Sequence, residues 1–146
     1  LKLILSMQPG FTYLWDKKEG GEFEMILGRE RADGWDPFNR IIDEGNIVCG
    51  GSDCPVTAIE PLTDIASCVN GNNPVRNISV TDALKMYTVN AAYAINEEKV
   101  NGSLEVGKKA DITVIDKNPY EHADKESIYE MNVVYTIKEG QIIFEG

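Results

Sequence analysis

The sequence contains very little histidine and cysteine, which argues against a zinc site that the chain could complete alone. His122 is the one histidine among 146 residues, and the three cysteines are Cys49, Cys54 and Cys68. Cys49 and Cys54 do not have the spacing of zinc ligands. An odd number of cysteines at irregular spacing is not a disulfide framework either, so we expect a reducing, cytoplasmic location.

Basic residues and long apolar runs are also scarce. The 14 lysines and arginines face 24 acidic residues, which gives a formal net charge of -10. A strongly acidic chain without a basic stripe argues against nucleic acids and anionic membranes as partners. No apolar run approaches the length of a membrane span. The run at residues 1–5 is too short for a signal peptide, and we expect it to be a strand from the middle of a longer protein.

The first part of the chain has the pattern of a βαβ unit. Residues 3–7 and 46–49 are short apolar runs that predict buried strands. Asp36 and Pro37 predict the cap and first turn of a helix that ends at Gly45. Residues 11–34 read as a long polar connection, which we expect to be a functional loop or loosely ordered. This order predicts a parallel sheet and hence an α/β fold.

The rest of the chain predicts more helices and then a small antiparallel β unit. Pro61 begins one helix, and Ser79 with Asp82 forms a variant of the capping box at the start of another, which Thr88 and Asn90 could divide. From Gly102 onward the pattern changes to alternation. We expect three strands, at residues 111–116, 132–138 and 141–144. A hairpin turn at residues 139–140 joins the last two.

The most informative segment is GGSDCPV at residues 50–56, which follows a predicted buried strand. It places the carboxylate of Asp53 just beyond a strand end, where α/β barrels carry catalytic groups. Such a carboxylate can bind a divalent metal ion, accept a proton from activated water, or do both. It can also bond nearby backbone N–H groups in an Asx-type turn. From spacing alone these alternatives stay open, and the turn is favoured.

An ordered set of motifs resembles the amidohydrolase superfamily. Residues 50–56, followed by Pro61, resemble its GSD-x-P motif, and GSLEVGKKAD at residues 102–111 resembles its re-entry into an accessory β domain. Further matches lie in the same order at residues 6–9, 27–31, 83–84, 87–92, 134–136 and Gly140. More narrowly, the set resembles amidohydrolase family 3, which includes N-substituted formamide deformylase-like enzymes.

The resemblance implies a (β/α)8 barrel that binds a divalent metal, usually zinc, and hydrolyses C–N bonds of small amide-type substrates with metal-activated water. Asp53 matches the aspartate after strand eight, which is a metal ligand and proton shuttle in that family. Residues 1–101 would carry barrel strands seven and eight with their helices. Residues 102–146 would form part of an accessory composite β-sandwich domain.

The departures from the family pattern are equally informative. The family's His-x-His pair, its lysine or glutamate, and its two later histidines have no match here, and we expect His122 to be an exposed loop residue. We therefore expect the C-terminal part of an enzyme, inactive alone and without a bound metal, because catalytic zinc typically has three protein ligands. The alternative is a non-catalytic, self-associating module. Open strand edges in either case predict a homo-oligomer.

Several other side chains are candidates for the barrel mouth. Arg31 could bind a substrate carboxylate through its fork of donors, although a solvated loop charge is the simpler interpretation. Gln8 stands at a predicted strand end and could face the same site. Cys54 adjoins Asp53, but we do not expect it to be a nucleophile. Aromatic residues of the long connection, Tyr13, Trp15 and Trp35, are expected to pack rather than bind substrate.

Overall fold

The fold begins with two parallel strands, as the βαβ pattern predicts. The computed structural model describes residues 3–17 and 19–146. Strand β1 (Ile4–Met7) pairs with β2 (Ile47–Gly50), and Met7 lies opposite Gly50 at their carboxyl ends. Residues 1 and 2 of the apolar run at residues 1–5 lie outside the described residues. Because the strands are parallel, the segments that follow them leave the sheet at the same edge.

The connection between the two strands is helical, so the prediction of a long polar loop is wrong. It contains α1 (Pro9–Trp15), α2 (Glu22–Leu27), α3 (Arg29–Asp33) and α4 (Phe38–Asp43). Helix α4 corresponds to the helix predicted before Gly45. Helices α1, α2 and α3 have 7, 6 and 5 residues, too few to show a helical periodicity in the sequence.

A chain of aromatic contacts holds these short helices together. The ring centroids are 4.7 Å apart for Phe11 and Trp15, 6.1 Å for Trp15 and Phe23, and 5.5 Å for Phe23 and Trp35. Tilted and edge-on pairs of this kind are favourable beyond the apolar area that they bury. The packing role expected for Trp15 and Trp35 is what these contacts provide.

The start of α4 also differs from the prediction, although its end agrees. Asp36 does not cap the helix: Pro37 occupies the cap position, no side chain caps it, and Asp36 has a φ of 46°. Burial raises the pKa of Asp36 to about 6. At the other end Gly45 has a φ of 82° and donates its N–H to the carbonyl of Ile42 at 2.8 Å. Glycine accepts that conformation without steric cost, as predicted.

Three α-helices come between β2 and the C-terminal sheet: α5 (Pro61–Val69), α6 (Val80–Met86) and α7 (Val89–Ala94), with a 3-10 helix (Pro74–Arg76) between α5 and α6. The predicted capping box is present. The Asp82 N–H donates to Ser79 Oγ at 3.0 Å, and Ser79 Oγ donates to Asp82 Oδ2 at 2.7 Å. Thr88, with a φ of -129° and a ψ of -99°, divides α6 from α7, as its position in the sequence suggested. None of the helices in the described ranges is long and apolar enough to cross a membrane.

The C-terminal part forms an antiparallel sheet with the strand order β3 (Ile112–Ile115), β4 (Val133–Lys138) and β5 (Gln141–Glu145). Helix α8 (Pro119–His122) and a 3-10 helix (Glu126–Glu130) connect β3 to β4. The hairpin turn has a positive φ at both Glu139 and Gly140, 50° and 81°. This is the primed turn that matches the twist of two antiparallel strands, and it confirms the predicted hairpin.

The hydrophobic core draws on both parts of the chain. Val48 of β2 is fully buried, and residues 64–69 of α5 are all buried. Ile128, in the 3-10 helix beyond β3, is also fully buried and belongs to the same cluster. The core therefore crosses the predicted division between residues 101 and 102. Its buried members are Phe38, Val48, Ile65, Ala66, Cys68, Val69, Val80, Ala83, Met86, Ile128 and Met131.

Candidate active site

Asp53 lies on a tight turn at the carboxyl edge of the parallel strands. The Gly51 N–H donates to the carbonyl of Met7 at 3.0 Å, which continues the strand pairing by one residue. The chain then turns, and the Val56 N–H donates to the carbonyl of Asp53 at 2.8 Å. Asp53 itself has a φ of 53°, a left-handed conformation in which aspartate is enriched among residues with a side chain. This local geometry presents its side chain at the edge.

The carboxylate of Asp53 is exposed. No side chain or backbone group of residues 3–17 and 19–146 donates a hydrogen bond to either of its oxygens. The Asx-type turn considered from the sequence is therefore not the arrangement that forms. A carboxylate at a strand end with both oxygens unbonded is available to bind a cation or to accept a proton.

A threonine hydroxyl fixes the other side of the turn. Thr57 is only 6% exposed, and its hydroxyl donates to the carbonyl of Ser52. A buried hydroxyl needs such a partner, because an unbonded one would cost desolvation energy. Together with the bonds from Gly51 and Val56, this contact fixes the backbone on both sides of Asp53.

A hydrogen-bonded pair, the buried Asp64 and the half-buried Tyr87, lies behind this turn. The Tyr87 hydroxyl donates to Asp64 Oδ2 at 2.9 Å, and Asp64 is 3% exposed. The pKa of Asp64 is raised to about 6, chiefly by burial; the bond from Tyr87 lowers it, and the nearby charge of Glu60 contributes a smaller increase. Burial and the negative charge of Asp64 raise the pKa of Tyr87 above its usual value, so Tyr87 keeps its proton.

Glycines at the end of β2 and at the start of α1 make room for this pair. A Cβ added at Gly50 would lie 2.3 Å from Cζ of Tyr87, and one added at Gly10 would lie 2.8 Å from Asp64 Oδ1. Both distances are far shorter than a van der Waals contact. The side chains of Tyr87 and Asp64 thus occupy the space directly against the ends of the two strands.

Sequence reasoning missed Asp64 and Tyr87 as parts of this region. Asp64 lies in the first turn of α5, where acidic residues are common, and Tyr87 follows the apolar face of α6. One signal was present: Asp64 is a charged residue that immediately precedes an uninterrupted run of apolar and small residues, all of which are buried. A carboxylate at such a position needs a polar partner inside the protein.

The described residues do not complete a metal site. Within residues 3–17 and 19–146, no three histidine, cysteine, aspartate or glutamate side chains form a group that could hold a metal ion. Asp53 offers one ligand, and the other ligands would have to come from elsewhere. His122 lies in α8, half-buried, and its Nδ1 shares a hydrogen bond with Ser127 Oγ at 2.8 Å. The prediction of an exposed loop residue is therefore wrong for His122.

The two predicted substrate-binding residues differ in their placement. Gln8 directly follows β1, at the same sheet edge as the Asp53 turn, and its carbonyl accepts a bond from the Phe11 N–H at 3.0 Å. Arg31 is exposed on α3, which packs against α2. No hydrogen bond or ion pair between Arg31 and the Asp53 turn occurs in the described part of the chain. The substrate-binding role of each stays a prediction.

The remaining candidates, Tyr13 and Cys54, lie in different surroundings. Tyr13 stacks on Tyr129 with ring centroids 5.4 Å apart. It also borders a shallow groove that Gly10, Thr57 and Asp64 help to line. Cys54 is exposed beside Asp53, whereas Cys49 and Cys68 are buried free thiols.

Comparison with known proteins identifies relatives along nearly the whole chain. The family model described as "Amidohydrolase family" matches residues 1–144. The chain is 29% identical to "Putative amidohydrolase YtcJ" of Bacillus subtilis, over 99% of this chain and 28% of that protein. It is 28% identical to N-substituted formamide deformylase of Arthrobacter pascens, over 99% of this chain and 27% of that protein. The chain thus spans about a quarter of the length of these curated relatives.

A solved structure shows the same fold. The crystal structure of an uncharacterized metal-dependent hydrolase from Pyrococcus furiosus superposes with a TM-score of 0.64 at 24% identity. The match covers 82% of this chain and 24% of that one. At this level of identity the likeness concerns the α/β fold alone.

Proposed function

Because the chain belongs to the amidohydrolase family, we propose that it is the C-terminal part of a metal-dependent hydrolase that cleaves non-peptide C–N bonds in small amide-type substrates. Residues 1–101 would supply the last two strands of a (β/α)8 barrel, and residues 102–146 part of an accessory composite β-sandwich. The observation that carries the proposal is the exposed carboxylate of Asp53 at the carboxyl edge of two parallel strands. Its oxygens accept no hydrogen bond in the described part of the chain. That edge is where barrel enzymes place their catalytic groups.

Asp53 has two roles in this proposal. One carboxylate oxygen would be a ligand of a divalent ion, zinc by family resemblance, which when bound supplies Lewis-acid activation of water and of the scissile carbonyl. The other oxygen would accept the proton that the attacking water loses. The same oxygen would then return that proton to the nitrogen that leaves as the C–N bond breaks. An exposed carboxylate with no internal hydrogen bond can make both contacts without first breaking one.

The chain alone is expected to be inactive in this proposal. A catalytic zinc site typically has three protein ligands, and the described residues contribute one. The remaining ligands would come from the rest of a longer protein, at the ends of its other barrel strands. Gln8 and Arg31 would then border the substrate, Gln8 from the strand end next to the Asp53 turn.

The test is Asp53→Asn in the complete protein that carries this chain. Asparagine keeps the shape and tolerates the positive φ, but it cannot accept the proton. We expect the bound metal to fall well below one equivalent and the hydrolysis of an N-substituted formamide probe to fall by at least about a hundredfold. Asp43→Asn is the matched control, because Asp43 is an exposed aspartate at the end of α4. Equal activity and metal content in the two variants would contradict the proposed role.

A second candidate function is self-association through the antiparallel sheet. Strand β5 is an edge strand of that sheet, and its Ile142, Ile143 and Phe144 are 61%, 62% and 49% exposed. An exposed apolar edge strand is a template for pairing with another chain, and the proposed occupant is a second copy of this one. Sedimentation of the chain should then show dimers that Ile143→Lys dissociates. A monomer at all concentrations would exclude this candidate.

A further inference from the structure

We propose that Tyr87 and Asp64 are positioning residues that fix the Asp53 turn against the strand ends, an inference that rests on the function proposed above. The pair is joined by the 2.9 Å bond from the Tyr87 hydroxyl to Asp64 Oδ2. Neither residue forms a hydrogen bond with Asp53 in the described part of the chain. They act through the backbone on either side of it.

The first contact is with the end of β2. The ring of Tyr87 lies so close to Gly50 that no side chain fits there. The position of the ring therefore determines how far the end of β2 can approach α6 and α7. The hydroxyl bond to Asp64 restricts the rotation and depth of the ring, because a hydrogen bond is directional in a way that apolar packing is not.

The second contact is with the segment that follows β1. Asp64 Oδ1 and the Thr57 hydroxyl both lie against Gly10, at the start of α1. Thr57 in turn donates to the carbonyl of Ser52, next to Asp53. The same small group of side chains thus contacts the end of β2 and the chain that follows β1.

The cost of this arrangement argues that it serves more than packing. A carboxylate that is 3% exposed is expensive to bury, and a purely apolar pair of similar volume fills such a space at lower cost. A hydrogen-bonded polar pair fixes one relative orientation of its two side chains, which an apolar pair does not. For a carboxylate that must reach both a ligand position and a proton, a displacement of about 1 Å can cost roughly a hundredfold in rate.

Tyr87→Phe is the direct test in the complete protein, because it keeps the ring against Gly50 and removes the bond to Asp64. We expect hydrogen–deuterium exchange of residues 50–57 to become faster, since this segment contains the bonded amides of Gly51 and Val56. We expect kcat for the formamide probe to fall by about tenfold, with KM changed by less than about twofold.

Tyr129→Phe is the matched control. Its hydroxyl also donates a partly buried hydrogen bond, to the carbonyl of Asn70 at 2.8 Å. It should lower the thermal stability by a similar amount and leave both kcat and the exchange of residues 50–57 unchanged. Asp64→Asn keeps an acceptor oxygen for Tyr87 and should retain most of kcat. Asp64→Leu removes the acceptor, should behave like Tyr87→Phe, and serves as the second probe if that variant does not fold.

The outcomes separate this inference from the proposed function. Unchanged exchange of residues 50–57 in Tyr87→Phe, or a kcat no lower than that of Tyr129→Phe, would overturn the positioning role. Faster exchange in a protein that has neither metal nor hydrolase activity would support the positioning of the turn and contradict only the proposed reaction.

Discussion

Arg76 forms a buried ion pair with Asp16, a residue that lies sixty positions earlier in the chain. The side chains are 6% and 14% exposed, and Arg76 also donates to the carbonyl of Trp35 at 2.8 Å. Asn72 and Asn73, in the same turn, donate to the carbonyls of Asp16 and Asp33. The turn after α5 thus satisfies backbone groups along the connection between β1 and β2, and it holds that connection in place.

Arg76→Met should lower the free energy of unfolding by about 3 kcal/mol, because it leaves the carboxylate of Asp16 buried without its partner. Arg40→Met is the control. Arg40 pairs with Glu44 at 3.1 Å, but the two side chains are 77% and 59% exposed, and such pairs contribute about 0.5 kcal/mol or less. Denaturant titration of both variants measures the difference. A similar loss of unfolding free energy in the two variants would show that the pair of Arg76 and Asp16 contributes no more than a solvent-exposed ion pair.

Gly50→Ala should destabilise the chain by about 2 kcal/mol, because the new Cβ would overlap the ring of Tyr87. The neighbouring Gly51→Ala tests the same chemical change in open space, since no atom lies within 4 Å of an added Cβ there. It should change the free energy of unfolding by less than about 0.5 kcal/mol. Equal effects at the two glycines would contradict the close contact between the end of β2 and Tyr87.

Asp64 should make the protein less stable as the pH rises from about 4 to about 6. Its pKa is about 6 in the folded protein, against an ordinary value of 3.8, so the folded state holds the proton more tightly than the unfolded chain does. The free energy of unfolding therefore falls over this interval and is level above it. The asparagine of Asp64→Asn does not titrate. The free energy of unfolding of this variant, relative to that of the parent, should therefore rise by on the order of 2 kcal/mol between pH 4 and pH 7.

Denaturant titrations of both proteins at several pH values give this difference directly. Asp36, whose pKa is also raised to about 6, is present in both proteins and cancels from the comparison. Curves that stay parallel from pH 4 to pH 7 would contradict the raised pKa of Asp64.

Metal removal should affect the complete protein and this chain differently. Dialysis of the complete protein against a chelator is expected to abolish hydrolysis, and added zinc is expected to restore it. The unfolding midpoint of the chain alone should not change with zinc, because its described residues contain no group able to hold the ion. A zinc-dependent rise in that midpoint would show that the chain binds the metal without further ligands.

Features that depend on neighbouring residues could be predicted from the sequence. The capping pair Ser79 and Asp82, the turn at Glu139 and Gly140, and the strand that leads to Asp53 each follow from a few adjacent positions. Their physical causes are local: an orphan N–H that needs an acceptor, a backbone that needs a positive φ, and an apolar run that needs burial.

Features that depend on distant partners could not be predicted in this way. Asp64 and Tyr87 are 23 positions apart, and neither carries a local sign that it bonds the other. The aromatic chain from Phe11 to Trp35 forms only because α1, α2 and the turn after α3 fold back on one another. Asp36 shows the opposite case. Its position in the sequence favours a helix cap, but in the fold it is partly buried and adopts a left-handed conformation.

The shared core has a consequence for how this protein tolerates change. Ile128, in the segment between β3 and β4, is fully buried, and the 3-10 helix that carries it packs against α5, the helix that also carries Asp64. Unfolding of the C-terminal segment would therefore expose α5 and the side chain of Asp64. Substitutions in the 3-10 helix can thus destabilise α5, although the two segments lie far apart along the chain. Separating the chain at residue 101 would divide this hydrophobic core between two fragments.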